Sequence, residues 1–248
     1  MSTAEALAAL LRGAKQVLVF TGAGISTGSG IPDFRGPAGI WTRRQPVTLQ
    51  EFVASDAARR EYWEMKLEAW PAFRDARPSA THRALALLER RGVVELVVTQ
   101  NVDGLHQVAG TSRDRLVELH GTNRRVRCLD CSRREPPERC MSEYRATQTP
   151  PRCTSCGGFM RPDVVMFGEL LDPALLERAF AAAARADLAL ALGSSLVVTP
   201  AAQVPLHSAR RGTPYVIVNQ GETPHDALAT LRIDADVGEV LASAVSLL

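Results

Sequence analysis

Apolar residues fall into two kinds of run along this chain. Short stretches rich in Val, Leu and Ile, with at most an isolated polar residue, occupy 17–21, 93–99, 116–119, 188–192, 215–219 and 231–233. Near-continuous rather than alternating apolar character predicts strands buried on both faces. Between them lie segments with helical period. Residues 2–13 carry a Ser2/Glu5 capping box, apolar Leu7, Leu10 and Leu11, and Gly13 as a stop. Others run over 81–91 up to Gly92, from Asp172 and Pro173 to Arg185, from Thr199 and Pro200 onward, and from Val237 to the end. Strands alternating with amphipathic helices predict an α/β fold built on a doubly wound, mostly parallel, Rossmann-like sheet. Ligands of such sheets bind outside the carboxyl ends of the strands.

Two stretches do not belong to that sheet. Residues 36–78 are helical in pattern, with Trp63, Leu67 and Trp70 on one face of a helix capped at Ser55; residues 128–156 are rich in Arg, Pro and Cys. They predict a smaller helical and zinc-ribbon domain formed by two insertions, 36–80 and 127–159. The dinucleotide-binding domain then comprises 1–35, 81–126 and 160–248. A crevice between the two is where ligands are expected.

Composition narrows the function classes. The chain has 248 residues, and its 46% hydrophobic content is enough for one large domain with a smaller companion. Net charge is +2, and the basic residues, all Arg except Lys15 and Lys66, are spread along the chain rather than gathered into a stripe. Nothing here predicts nucleic-acid binding. The first helix lacks a cationic leader and no apolar run reaches membrane-spanning length, so no signal peptide or membrane association is expected. Cytoplasmic residence follows from the cysteine pattern, which reads as metal binding in a reducing compartment rather than as a disulfide framework.

The first strand feeds a glycine-rich loop, VLVFTGAGISTGSGIPDFRG at 17–36. Gly22 and Gly24 let backbone N–H groups approach a pyrophosphate closely, which makes a dinucleotide the first ligand to consider. The spacing departs from the dehydrogenase pattern G-x-G-x-x-G: Thr27 stands at the third small position, and the second strand arrives only after a long insertion. Ser26, Pro32, Asp33, Phe34 and Arg35 suggest a polar lid over the dinucleotide rather than a site for hydride transfer.

Cys128 and Cys131 form one CxxC, and Cys153 and Cys156 a second after 21 intervening residues. Two such pairs clamp a tetrahedral ion, and four thiolates leave no open position for catalysis, so a structural zinc is expected. Cys140 is left over, read as a free thiol in the intervening loop.

Polar residues cluster where strands end. The run 93–99 leads into Gln100, Asn101, Asp103 and His106, and the run 116–119 into His120 and Gly121. Asp103 could simply cap a short helix, but that leaves Gln100 and Asn101 unexplained. An imidazole at a strand end facing a dinucleotide loop is a general-base candidate, since its unperturbed pKa of about 6.5 suits proton transfer near neutrality.

GAGISTGSGIPDFRG, TQNVDGLH, ELHG, the paired CxxC, MRPDVVMFGE at 160–169, GSSLVVTPAA at 193–202 and VIVN at 216–219 together resemble the sirtuins, NAD-dependent protein lysine deacylases. The resemblance covers nearly the whole chain in the family's order. It implies that Gly22, Ala23, Gly24 and Ser26 cradle the NAD phosphates, with Asp33, Phe34 and Arg35 on the lid and Gly193, Ser194 and Ser195 adding contacts. It further implies Gln100 at the nicotinamide-side ribose, Asn101 and Asp103 lining the nicotinamide pocket, and Asn219 at the adenosine ribose. In that family the acyl-lysine carbonyl captures the ribose carbon as nicotinamide leaves. His120 would take a proton from a ribose hydroxyl, giving free lysine and O-acyl-ADP-ribose, so His120 and Asn101 are the implied catalytic pair. Val164, Val165, Met166, Phe167, Gly168 and Glu169 would receive the substrate peptide as an added strand. The implied cofactors are NAD and zinc, and the implied partner is an acyl-lysine protein, with acetyl the expected acyl group. An NAD glycohydrolase or ADP-ribosyltransferase would use the same loop and pocket and differ in the acceptor.

Overall fold

The computed structural model describes residues 2–33, 39 and 45–248. Phe34 and Arg35, assigned above to the lid, lie outside the described residues. The elements in chain order are α1 (Thr3–Gly13), β1 (Val17–Thr21), α2 (Leu49–Ala54), α3 (Asp56–Asp75), α4 (Ala80–Arg90), β2 (Val94–Thr99), α5 (Leu105–Ala109), β3 (Leu116–Glu118), β4 (Gly121–Cys128), β5 (Arg134–Glu135), α6 (Glu138–Thr147), β6 (Met160–Val164), α7 (Pro173–Arg185), β7 (Leu188–Leu192), α8 (Gln203–Arg210), β8 (Tyr215–Val218), β9 (Leu231–Ile233) and α9 (Val237–Ser246), with short 3-10 turns between some of them.

Six strands form one parallel sheet in the order β3-β2-β1-β7-β8-β9. Every residue of β1, β7 and β8 is buried, which is why these runs are apolar without alternation. Successive residues of β1 serve two cores. Val17 and Val19 pack with Leu7, Leu11, Leu85, Leu88 and Leu241 of α1, α4 and α9, whereas Leu18 and Phe20 pack with Ala179, Ala183 and Val204 of α7 and α8. The strand order reverses direction between β1 and β7. A crevice opens at such a point, at the carboxyl edge, and the glycine-rich loop starts there.

The boundary signals behave as expected at the helix starts. Ser2 and Glu5 form their capping box, Ser55 caps α3 through Ala58 N–H, and Asp172 caps α7. Two elements differ. The helix expected from Thr199 and Pro200 begins at Gln203, with turns over 199–202. A second sheet, antiparallel and ordered β5-β4-β6, takes in strands β4 and β6. Its strands carry Arg124, Arg125, Arg127 and Arg161 and are irregular in register between Thr122 and Val126; β6 is buried throughout, yet its sequence MRPDV is not an apolar run, and β4 shows no clean alternation.

That second sheet shares a core with α2, α3 and α6. Trp63, Trp70, Phe52, Tyr62, Val126, Met160 and Tyr144 are buried together, with Leu67 at the margin. Cys140 sits in α6 rather than in a loop. It is fully buried, and burial pushes its thiol up to about 12, so it is unreactive near neutrality. No helix among the described residues is long and apolar enough to cross a membrane.

Candidate active site

The glycine-rich loop and the loop after β7 touch through their backbones. Gly22 N–H donates to Leu192 O and Gly24 N–H to Gly193 O, at 3.0 and 2.9 Å. A Cβ on Gly22 would lie 2.6 Å from Gly193 O, and one on Gly24 would lie 2.8 Å from Gly193 Cα. No side chain fits between these segments. Bare backbone here leaves no Cβ in the way of a ligand at the crevice edge, the close approach that a pyrophosphate needs. Ala23 is in this turn, Ser194 is buried beside it, and Ser195 is half-buried after it.

The carboxyl end of β2 carries a connected polar group. Asn101 and Asp103 are both 4% exposed. Asn101 Nδ2 donates to Gly22 O at 3.0 Å and to Ser26 Oγ at 3.2 Å, and Ser26 Oγ donates to Asp103 Oδ2 at 2.8 Å. The other Asp103 oxygen accepts from Leu105 N–H at 2.8 Å, so this carboxylate caps the turn into α5 and also anchors the loop. Gln100 points the other way, its Nε2 donating to Ser194 Oγ at 2.8 Å. The two glycine-containing loops are thereby tied to one strand end. Asn219, at the end of β8, donates to Gln220 O and Gly221 O. Asp33 is the last described residue of this loop before residue 39.

His120 follows β3, and its Nδ1 lies 3.0 Å from the Gln100 carbonyl oxygen. A carbonyl only accepts, so Nδ1 carries the proton and Nε2 presents a lone pair. This is the tautomer a general base needs. The His120 carbonyl in turn accepts from Val165 N–H at 2.9 Å. The imidazole and the segment 165–169 are therefore one backbone hydrogen bond apart.

That segment is not a continuous strand. β6 ends at Val164, where it pairs with Gly121, and the chain then turns through Gly168 at a φ of +81°. Met166 is buried and Phe167 is 43% exposed, with Phe167 O accepting from Leu49 N–H. The Glu169 carboxylate turns inward. It accepts from Arg161 at 2.6 Å, Arg127 at 3.2 Å and Met166 N–H at 3.0 Å, and Arg161 is itself 1% exposed. Glu169 thus braces the backbone of 166–168. Arg127 and Arg161 stand opposite each other in the β4–β6 ladder.

The two CxxC pairs converge. The four sulfurs all lie within 4.8 Å of one another, with Cys128–Cys156 at 3.5 Å and Cys131–Cys153 at 3.7 Å. A tetrahedral ion with Zn–S bonds of about 2.3 Å places its sulfurs about 3.8 Å apart, so the set fits zinc. Gly158 is required beside it, since a Cβ there would stand 2.9 Å from Cys128 Sγ.

Residues 22–200 match the Sir2 family. The chain belongs to the Sir2 family, the sirtuins. Among curated relatives, an NAD-dependent protein deacetylase of Haloarcula marismortui is 44% identical over 247 residues, covering 98% of this chain and 94% of that protein. One of Rhodopseudomonas palustris is 42% identical over 240 residues, covering 97% and 95%. Among solved structures, a Sir2 complex with a p53 peptide and NAD+ superposes with a TM-score of 0.90 at 38% identity, covering 100% of this chain and 98% of the other. A Sir2 variant with a deacetylated p53 peptide and 3′-O-acetyl ADP ribose superposes at 0.92 with the same identity and coverage.

Proposed function

We propose that this sirtuin removes acetyl groups from protein lysine, consuming NAD and releasing nicotinamide and O-acetyl-ADP-ribose. The observation that carries the reading is the junction at His120. One side of this residue holds a base-competent imidazole against Gln100, beside the Asn101–Ser26–Asp103 group, and its carbonyl holds Val165 at the start of the segment read as the peptide site.

In this reading Gly22, Gly24 and Gly193 let the backbone come close to the phosphates, and Ala23, Ser194 and Ser195 bind them through backbone N–H and hydroxyl groups. Gln100 orients the nicotinamide-side ribose, Asn219 meets the adenosine ribose, and Asn101 and Asp103 form the polar wall of the nicotinamide pocket. Nicotinamide is bonded to ribose as a cation and departs neutral, which is the chemistry NAD supplies. His120 Nε2 accepts a proton from a ribose hydroxyl. The segment Val165, Met166, Phe167, Gly168 and Glu169 offers backbone hydrogen bonds to an extended peptide, with Glu169 acting from behind through its ion pairs. The four thiolates hold zinc away from the chemistry and remain reduced in a cytoplasmic setting.

The deciding assay is nicotinamide release with and without an acetyl-lysine peptide. Strict peptide dependence, with O-acetyl-ADP-ribose detected by mass, is the expected result. Release at an equal rate without peptide would assign the chain to NAD glycohydrolysis instead.

Acyl preference is expected to favour acetyl over succinyl lysine. Family members that prefer succinyl or malonyl lysine carry a Tyr-x-x-Arg pair on the helix over the acyl pocket; here neither Tyr62 nor Trp63 is followed three residues on by Arg, the positions being Met65 and Lys66. Losing a charge-assisted hydrogen bond to a carboxylate costs roughly 1.5 to 3 kcal/mol, about tenfold to a hundredfold. Tyr62 and Trp63 are both buried, and Trp63 Nε1 donates to Met160 O. Lys66 lies 3.4 Å from Asn123 Oδ1, and burial pushes its ammonium down to about 8. It is charged below that pH and neutral above it, so the preference for acetyl should widen as pH rises through 8. Matched peptides compared by kcat/KM at two pH values test this, and a succinyl value equal to the acetyl one would refute it.

A further inference from the structure

Two buried histidines lie beneath the glycine-rich loop, and the assignments above use neither. His82 is in the first turn of α4 and His106 is in α5; they are 0% and 2% exposed. Their rings pack edge to face, with centroids 4.8 Å apart at 61°.

The protons on these rings follow from their partners. His82 Nδ1 accepts from Ser79 N–H at 3.2 Å, and the Ser79 hydroxyl, 2.8 Å from the same nitrogen, donates to Ile25 O in the glycine-rich loop at 2.8 Å. His82 therefore carries its proton on Nε2. His106 Nε2 lies 3.0 Å from Thr21 Oγ1, and that hydroxyl donates to Thr99 Oγ1 at 2.8 Å. With the threonine proton committed, His106 donates through Nε2 and its Nδ1 is a bare acceptor. Thr99 Oγ1 also accepts from Asn101 N–H at 3.0 Å.

The two ring atoms left over are complementary. His82 Nε2 and His106 Nδ1 are buried with no hydrogen-bond partner among the described residues. One is a donor and the other an acceptor, on rings in contact. Burial holds both imidazoles in the neutral form, His82 at about 4 and His106 well below its usual value.

We propose that His82 and His106 are positioning residues: a proton-ordered pair linking Ser79 and the Ile25 carbonyl on one side to Thr21, Thr99 and the Asn101 backbone on the other. The pair sets the glycine-rich loop against the residues that line the nicotinamide pocket. This rests on the reading of Asn101 and the loop as the NAD site. Apolar side chains of similar volume would fill the space with no orphaned nitrogen, so packing alone does not account for two imidazoles here.

Long-range 15N–1H correlation spectra of the full-length protein read the tautomers directly. Both rings are expected to be neutral with the proton on Nε2 at pH 7, and a proton on Nδ1 of either ring would overturn the proposal. The variants His82→Phe and His106→Phe keep ring volume, and His82→Asn keeps an acceptor toward Ser79. In single-turnover assays each Phe variant is expected to slow nicotinamide release about tenfold to a hundredfold, as small displacements of a reacting site do. The KM for peptide should stay within a factor of about two, and His82→Asn should recover more rate than His82→Phe. Phe variants with native melting temperature and unchanged nicotinamide release would also overturn it. If the wild type releases no nicotinamide with any acetyl peptide, the functional reading fails, and the tautomers still decide the pair.

Discussion

His120→Ala is expected to slow acetyl-lysine-dependent turnover by about 10² to 10⁴ while leaving NAD affinity within a few-fold of wild type, the range typical for loss of a positioned acid or base. The geometry separates the two effects. The imidazole is held by the backbone carbonyl of Gln100, whereas the Gln100 side chain reaches Ser194. Removing the ring therefore leaves the link between β2 and the loop after β7 in place. It also leaves the contacts of Gly22 and Gly24 with Leu192 and Gly193, and those of Asn101 with Gly22 and Ser26. His120 is half-buried at a strand end rather than packed in a core, so its truncation opens no large cavity. Titration calorimetry with NAD, beside turnover with an acetyl peptide, measures both quantities. Near-normal turnover would remove His120 from the chemistry, and loss of NAD binding would show that the ring supports the cofactor site.

The near-continuous apolar runs and their glycine and capping punctuation made the six-stranded sheet legible, because strands covered on both faces need no alternation. The chemistry at the strand ends was legible for a related reason: Gln100, Asn101, Asp103 and His120 follow immediately after such runs, where only a ligand or a cap explains polar side chains. The second sheet was harder to read. Its strands hold Arg125, Arg127 and Arg161, whose charges are met by partners such as Asp163 and Glu169. Periodicity cannot report a partner distant in sequence. Glu169 shows the consequence: the resemblance places it at the peptide site, and its carboxylate is turned onto Arg161 and Arg127. His82 escaped for a different reason. Its place three residues after Ser79 looks like ordinary helix capping, and only the packing of its ring on His106 reveals the longer connection.

Zinc removal should have the largest effect on stability, and it should act through the second sheet. Cys128 is the last residue of β4, while Cys153 and Cys156 lie shortly before β6, so the ion closes a link across the two strands that form most of that sheet. The sheet shares its core with α3 and α6, and Cys128 and Cys153 are part of that core. Without the ion, four thiols would face one another in a loop region of Arg, Pro and Gly that has little apolar surface of its own. Structural zinc contributes on the order of 10 kcal/mol in small modules, comparable to the whole stability of a typical domain. The metal-loaded protein is accordingly expected to contain one zinc per chain. Cys128→Ser or prolonged chelation should lose the zinc, unfold this region at ambient temperature and abolish deacetylation. The six-stranded sheet is built on separate clusters of buried residues and should persist. Hydrogen exchange distinguishes these outcomes by location: protection should vanish in β4, β6 and α6 and remain in β1, β7 and β8. Wild-type protein that is fully folded and active without zinc would refute the structural role. Uniform loss of protection over both sheets would show instead that the two unfold as one cooperative unit.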